Sequence, residues 1–209
     1  MVEFFPLEVS AWIKNLGPSF KEALIPFGFS YIFPYHQINV DEPLLHAAAN
    51  FWIPTRHVFH FNGVEICSTI EEFNATMGEL EVNSLILPTI GGDLVALVQA
   101  LLGGFFRHGA ALFNKLNIRL VFTYFSRLTV PVASRTCSYY LNAFYLCLLT
   151  RYFLVHETVC IDQRVCWVGG DLKRGNPVGM ILAETLNGLD AIHRKEAKFF
   201  AGSSLLLQV

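Results

Sequence analysis

Histidine and cysteine residues offer the first candidate chemistry. His57-x-x-His60 has the spacing of a ligand pair, and His156, Cys160 and Cys166, with Glu157 or Asp162, could supply four zinc ligands. Read as strand, however, positions 57 and 60 point to opposite faces and cannot close on one ion. Neither C-x-x-C nor H-E-x-x-H occurs. The residues therefore favour packed thiols and solvent-facing histidines, with no metal. Gly170 to Gly175 has the frame of a phosphate loop, but Asn176-Pro177 replaces the Lys-Ser/Thr that would meet the phosphates and magnesium. Asn176 as N-cap and Pro177 in the first turn explain that loop end instead. No G-x-S-x-G elbow is present, so the residues indicate no catalytic group and no cofactor.

Charge supplies the second candidate. Residues 1 to 93 carry eleven acids against three cations, whereas residues 94 to 156 carry Arg107, Lys115, Arg119, Arg127, Arg135 and Arg151 and no acid. A basic stretch with Tyr124, Phe125, Tyr139 and Tyr140 among its cations could face a phosphate backbone, so Arg107, Lys115, Arg119, Arg127 and Arg135 are candidate nucleic-acid contacts. The competing reading is that these thinly spread cations pair with the acidic N-terminal half. The pattern favours that second reading.

The elements that must position these residues are mostly helical. Helices are expected over 7–16, from Ser19 (capping box with Glu22) to before Pro26, and from Asp41-Glu42-Pro43 through about Asn50, with a loop over 27–41. Further helices are expected near 69–78, 93–102, 110–117, 118–126, 137–155 and 177–200, and strand is possible over 159–168. Between Phe51 and Phe73 the pattern changes. Asn62-Gly63 separates two alternating runs and supplies the positive φ of a type I′ turn, so Phe61 should face Val64, His60 face Glu65, and Phe59 face Ile66. Phe59, Phe61, Val64 and Ile66 then share one face, expected to be buried, and His60 and Glu65 share the other. Ser68 or Thr69, with Glu71 or Glu72, should cap the next helix.

That stretch resembles a plant domain of unknown function related to the plant mobile domain, a module of retrotransposon-derived and host plant proteins. The matching order is Phe51-Trp52-Ile53-Pro54, then the hairpin Val58 to Ile66, then Thr69-Ile70-Glu71-Glu72-Phe73. A second match is the apolar helix Tyr139 to Val155 followed by Asn176-Pro177 and another apolar helix, so the likeness covers most of residues 44 to 200. The resemblance implies a mobile-element origin and carries over no catalytic residue, and the chain is expected to be a non-enzymatic interaction module. Such domains are sometimes labelled aminotransferase-like. Pyridoxal phosphate chemistry needs a Schiff-base lysine and groups for the cofactor's phosphate, and none of Lys14, Lys21, Lys115, Lys173, Lys195 and Lys198 sits in a recognisable setting. The chain stops at Leu205-Leu206-Leu207-Gln208-Val209, so a domain truncated at its C-terminus is expected.

Composition bounds the rest. A chain of 209 residues that is 53% hydrophobic can fill a sizeable core. Glu3 near the start and five cysteines in apolar runs point to an intracellular chain, nuclear or cytoplasmic, with reduced thiols. The charge-free part of 137–155 is too short for the hydrocarbon core as a helix and is followed by Arg151, which favours a buried helix over a membrane span. The expectation is a mainly α, single-domain helical bundle over 1–209 with one short β-hairpin in its N-terminal half. Its function is expected to be binding a protein partner, or nucleic acid. An enzyme with a site assembled from scattered polar residues is the alternative, and a membrane-associated protein the weaker one.

Overall fold

A computed structural model describes residues 4–24, 41–77, 86, 92–103, 111–112, 115–129, 136–154, 160–171, 175–204 and 207. Helix α1 (Phe4–Asn15) is followed by α2 (Pro18–Leu24). The second helix begins two residues earlier than a Ser19 cap would place it. Pro18 has no N–H to satisfy, and the Gly17 carbonyl accepts from Phe20 and Lys21, so Ser19 lies inside the first turn. The expected loop over 27–41 falls outside the described residues except for Asp41. Asp41 caps α3 (Glu42–Ala49), its carboxylate accepting from the Leu44 N–H at 2.9 Å.

Three short strands follow: β1 (Trp52–Ile53), β2 (Val58–Phe61) and β3 (Val64–Ile66), antiparallel in the order β1-β2-β3. The register is the one the turn dictates, Phe59 with Ile66, His60 with Glu65 and Phe61 with Val64, and Asn62 and Gly63 take φ of 47° and 84°. Burial departs from expectation. Phe59 and Phe61 are half-buried, while Val64 and Ile66 are 59% and 53% exposed. The reason is lateral packing: Phe59 lies against Trp52 and Phe61 against Phe51, with ring centroids 4.9 and 4.7 Å apart, so aromatics cover the β1–β2 half and leave β3 uncovered.

Thr69 and Glu72 complete a capping box for α4 (Ile70–Thr76), and Asp93 caps α5 (Leu94–Leu102). Where the expected helix over 110–117 is described, at 111–112 and 115–117, the chain is strand. Strands β4 (Ala111–Leu112), β5 (Lys115–Asn117) and β6 (Cys160–Asp162) form a second antiparallel sheet, with Leu116 opposite Ile161 and both buried. The sheet therefore adds to the single hairpin the sequence suggested. Asn117 then caps α6 (Ile118–Phe125) through the Leu120 N–H. Strand character ends at Asp162, whose carboxylate accepts from the Arg164 N–H and starts α8 (Gln163–Asp171).

The centre of the molecule is α7 (Thr136–Leu148) with the wide turn Leu149–Phe153 that continues it. Leu141, Phe144, Tyr145, Leu148, Leu149 and Tyr152 are buried as expected, and so is every other residue from Ala143 to Thr150. A helix apolar on all sides needs neighbours on all sides. Trp12 of α1 supplies one, its indole N–H donating to the Tyr140 hydroxyl at 2.7 Å while its ring meets Phe122, Tyr140 and Phe144 edge-on. The Asn142 amide, donating to the Leu101 carbonyl at 2.8 Å, ties α5 to another side. Thr150 directs its hydroxyl back to the Leu146 and Cys147 carbonyls where the spiral widens, and Leu154 N–H reaches the Leu149 carbonyl. Among the described residues no helix is long and apolar enough to cross a membrane. The last helix, α9 (Val178–His193), starts where the buried Asn176 accepts from the Val178 N–H while donating to Asn74 of α4.

Candidate functional site

Of the five candidate nucleic-acid contacts, Lys115, Arg119 and Arg127 are described and exposed; Arg107 and Arg135 lie outside the described residues. None of the three forms an ion pair among the described residues, and Glu3, Glu79 and Glu81 of the acidic N-terminal half lie outside those residues. Nor do the three cations form a compact cluster. Arg119 is in the first turn of α6 and Arg127 two residues past its end, about 12 Å apart along the axis. Lys115 stands opposite Asp162 across β5 and β6. Burial works to raise the Asp162 carboxyl pKa, but hydrogen bonds from Arg164 and the charges of Arg164 and Lys115 outweigh it and hold the group below its usual range.

The first sheet is held to the helical body by one carboxylate. Asp190, in the last turn but one of α9, accepts from the Trp52 indole at 2.7 Å through Oδ1 and faces His57 Nε2 at 3.6 Å and Arg194 at 3.3 Å through Oδ2. His193 of the same helix meets the Ala49 carbonyl at 3.0 Å. His57 itself is in the turn before β2 at φ 52°, stacked on Trp52, so the strand geometry assumed for positions 57 and 60 does not apply to it. Trp52 and Asp190 are 138 residues apart, and nothing in their local sequences links them. The arrangement orients the sheet: both carboxylate oxygens are engaged, and the tryptophan is fully buried.

So anchored, the sheet turns β3 outward. A two-residue turn makes Phe61 and Val64 the hydrogen-bonded pair, so Val64 and Ile66 bond to β2 while the N–H and C=O of Glu65 point away from it. The alternation is visible on the other side of β2, where His60 N–H donates to the Phe51 carbonyl at 2.8 Å. No other strand pairs with that outer edge among the described residues. Beside the end of β3 opens a cavity of about 440 Å³ lined by Ile66, Cys67, Ser68, Glu72, Phe73 and Thr76, among others. Buried Phe73 makes its apolar floor, and Glu72 contributes a carboxylate to its wall.

Metal and thiol chemistry find no support in this geometry. Among the described residues no group of three or more His, Cys, Asp or Glu side chains could hold a metal ion. His156 and Glu157 of the candidate ligand set lie outside those residues, as do 172–174 of the loop whose frame resembles a phosphate loop. Burial pushes the Cys166 thiol up to about 12, and raises Cys147 further, which keeps both protonated and unreactive. Searches of family models, curated proteins and solved structures return no match to this chain.

Proposed function

We propose that this chain is a non-enzymatic interaction module that binds a protein partner through the outer face and edge of its first sheet. The observation that carries the proposal is the exposure of Val64, Ile66 and Phe51 on a sheet anchored to α9 by Asp190. Apolar side chains on a rigidly held strand with a free edge are what strand-pairing recognition uses. One contiguous core runs from Val9 in α1 to Ile181 in α9, and the sheet joins α9 through the Trp52–Asp190 bond, which supports treating the two as one unit that presents this surface. The likeness of residues 51–73 to the plant mobile domain family adds a mobile-element origin to the reading. Selection of displayed random peptides against the folded chain tests it. Enriched peptides should lose binding to a Val64→Lys, Ile66→Lys double variant and keep it for Arg119→Glu, Arg127→Glu; the reverse pattern would overturn the proposal.

A second reading rests on the exposed, unpaired state of Lys115, Arg119 and Arg127 among the described residues. These could meet phosphates, and binding would then weaken steeply with salt. Filter binding with single- and double-stranded nucleic acid at low salt should show no retention if the protein-partner reading holds. Micromolar binding that moderate salt abolishes, and that Arg119→Glu with Arg127→Glu removes, would put nucleic acid in its place.

A further inference from the structure

The outer edge of β3 has a chemistry specific enough to describe its occupant. Main-chain groups are offered at Glu65, whose N–H and C=O point away from β2. Side chains alternate around that residue: Val64 and Ile66 stand on the face shared with Phe59 and Phe61, and Glu65 stands on the opposite face beside Arg56, with which it forms an ion pair. A chain laid antiparallel along this edge, its central residue exchanging both main-chain bonds with Glu65, must therefore present its own side chains with period two. Positions flanking the one opposite Glu65 would lie against Val64 and Ile66, and the second of them would be next to the cavity floored by Phe73.

Charge selects among the possible occupants. Glu65, Glu71 and Glu72 are all exposed around the edge and the cavity. A second copy of this chain paired β3 to β3 would bring two copies of the Glu65 side chain together, and like charges directly opposite are unfavourable in a ladder. Nucleic acid would meet the same carboxylates. A cationic residue across from Glu65 is favoured on the same rule, and Arg56 only partly satisfies that carboxylate because both side chains remain about half exposed.

Resting on the protein-partner reading above, we infer that the β3 edge takes an extended peptide segment of the pattern apolar, basic, apolar. Its basic residue faces Glu65, and one apolar residue enters the cavity beside Ile66, Cys67 and Phe73. The peptide adds a fourth strand to the sheet, held by main-chain bonds at Glu65.

Synthetic peptides with a Val-Lys-Val centre, matched Val-Glu-Val and Val-Ser-Val peptides, and a Val-Lys-Val peptide N-methylated on the lysine nitrogen test this by fluorescence anisotropy against the full chain. Val-Lys-Val should bind about tenfold tighter than Val-Glu-Val, the swing from an attractive to a repulsive cross-strand pair opposite Glu65. The exposed-site variant Glu65→Lys should reverse that order, and N-methylation should abolish binding. Equal binding of all three unmethylated peptides would overturn the basic specificity while leaving edge docking in place. Binding of the methylated peptide at full strength would overturn strand addition. Failure of every peptide to bind a chain with native circular dichroism would overturn edge docking itself, and with it the protein-partner reading at this surface.

Discussion

At Gly63 the backbone holds φ at 84°, and no heavy atom lies within 4 Å of where a Cβ would stand. Only conformational strain opposes a side chain there, so Gly63→Val should cost about 1–2 kcal/mol, read as a lowered urea midpoint. Gly188 has the opposite problem. Its φ is ordinary for helix, but a Cβ would stand 1.7 Å from the Ala201 carbonyl oxygen, where the chain's last described segment crosses α9. Gly188→Ala should therefore destabilise by at least the roughly 1–3 kcal/mol of an overpacked core, and crowding rather than torsion would be the cause. The first glycine was legible in the sequence because an Asn-Gly between alternating runs dictates its own turn. The second was not, because its neighbour is contributed from residue 201, outside any local pattern.

The thiols belong to this scale too. Cys67 is exposed, whereas Cys137, Cys147 and Cys166 are buried. A thiol reagent at pH 8 should label Cys67 quickly in the folded chain, with the buried three reacting only on unfolding; fast labelling of Cys166 would contradict its packing. Because burial raises the Cys166 pKa to about 12 in the folded state, the unfolded thiol loses its proton first as pH rises. The unfolded chain then binds fewer protons than the folded one, so stability falls between the ordinary thiol range and about pH 12. Tyr140, Tyr145 and Tyr152, raised chiefly by burial, act in the same direction. Thermal melts should show a declining midpoint above about pH 9.

Among elements, α7 carries the largest share of the core. Leu148→Ala should cost about 2–5 kcal/mol, as truncation of a fully buried leucine does, and a shift under 1 kcal/mol in a denaturant titration would mean the helix is not central. This helix was legible because a run apolar on all sides, too short to cross a bilayer, has few other uses. The capping residues Asp41 and Thr69 with Glu72 were legible because each bonds its own helix within three residues. What local reading missed is pairing at a distance. Lys115, Leu116 and Asn117 alternate polar and apolar only in a short run that continues straight into α6, and they become strand because Asp162, Ile161 and Cys160 lie opposite them, more than forty residues later. The same limit explains Asp190: α9 was expected, but its role in holding Trp52 was not. Asp190→Ala should loosen the first sheet more than the helical body, since it removes the indole's acceptor and the partner of His57 and Arg194 together.

Over the whole molecule, the sequence pattern foretold an acidic half and a basic half but not where either would face. Among the described residues Lys115, Arg119 and Arg127 stand exposed, and Glu65 finds Arg56 on the neighbouring turn of its own sheet. The aromatic packing of Phe51, Trp52, Phe59 and Phe61 among themselves, rather than against α7, is what leaves an edge available. Among the described residues this edge is open while its strand is firmly paired on the inner side. Native-state amide hydrogen exchange at residue resolution distinguishes the two sides of β3. The Val64 and Ile66 amides, bonded into β2, should exchange slowly while the intervening Glu65 amide exchanges at close to the unprotected rate. A Glu65 amide as protected as its two neighbours would show the edge to be covered and would rule out a docking edge at β3.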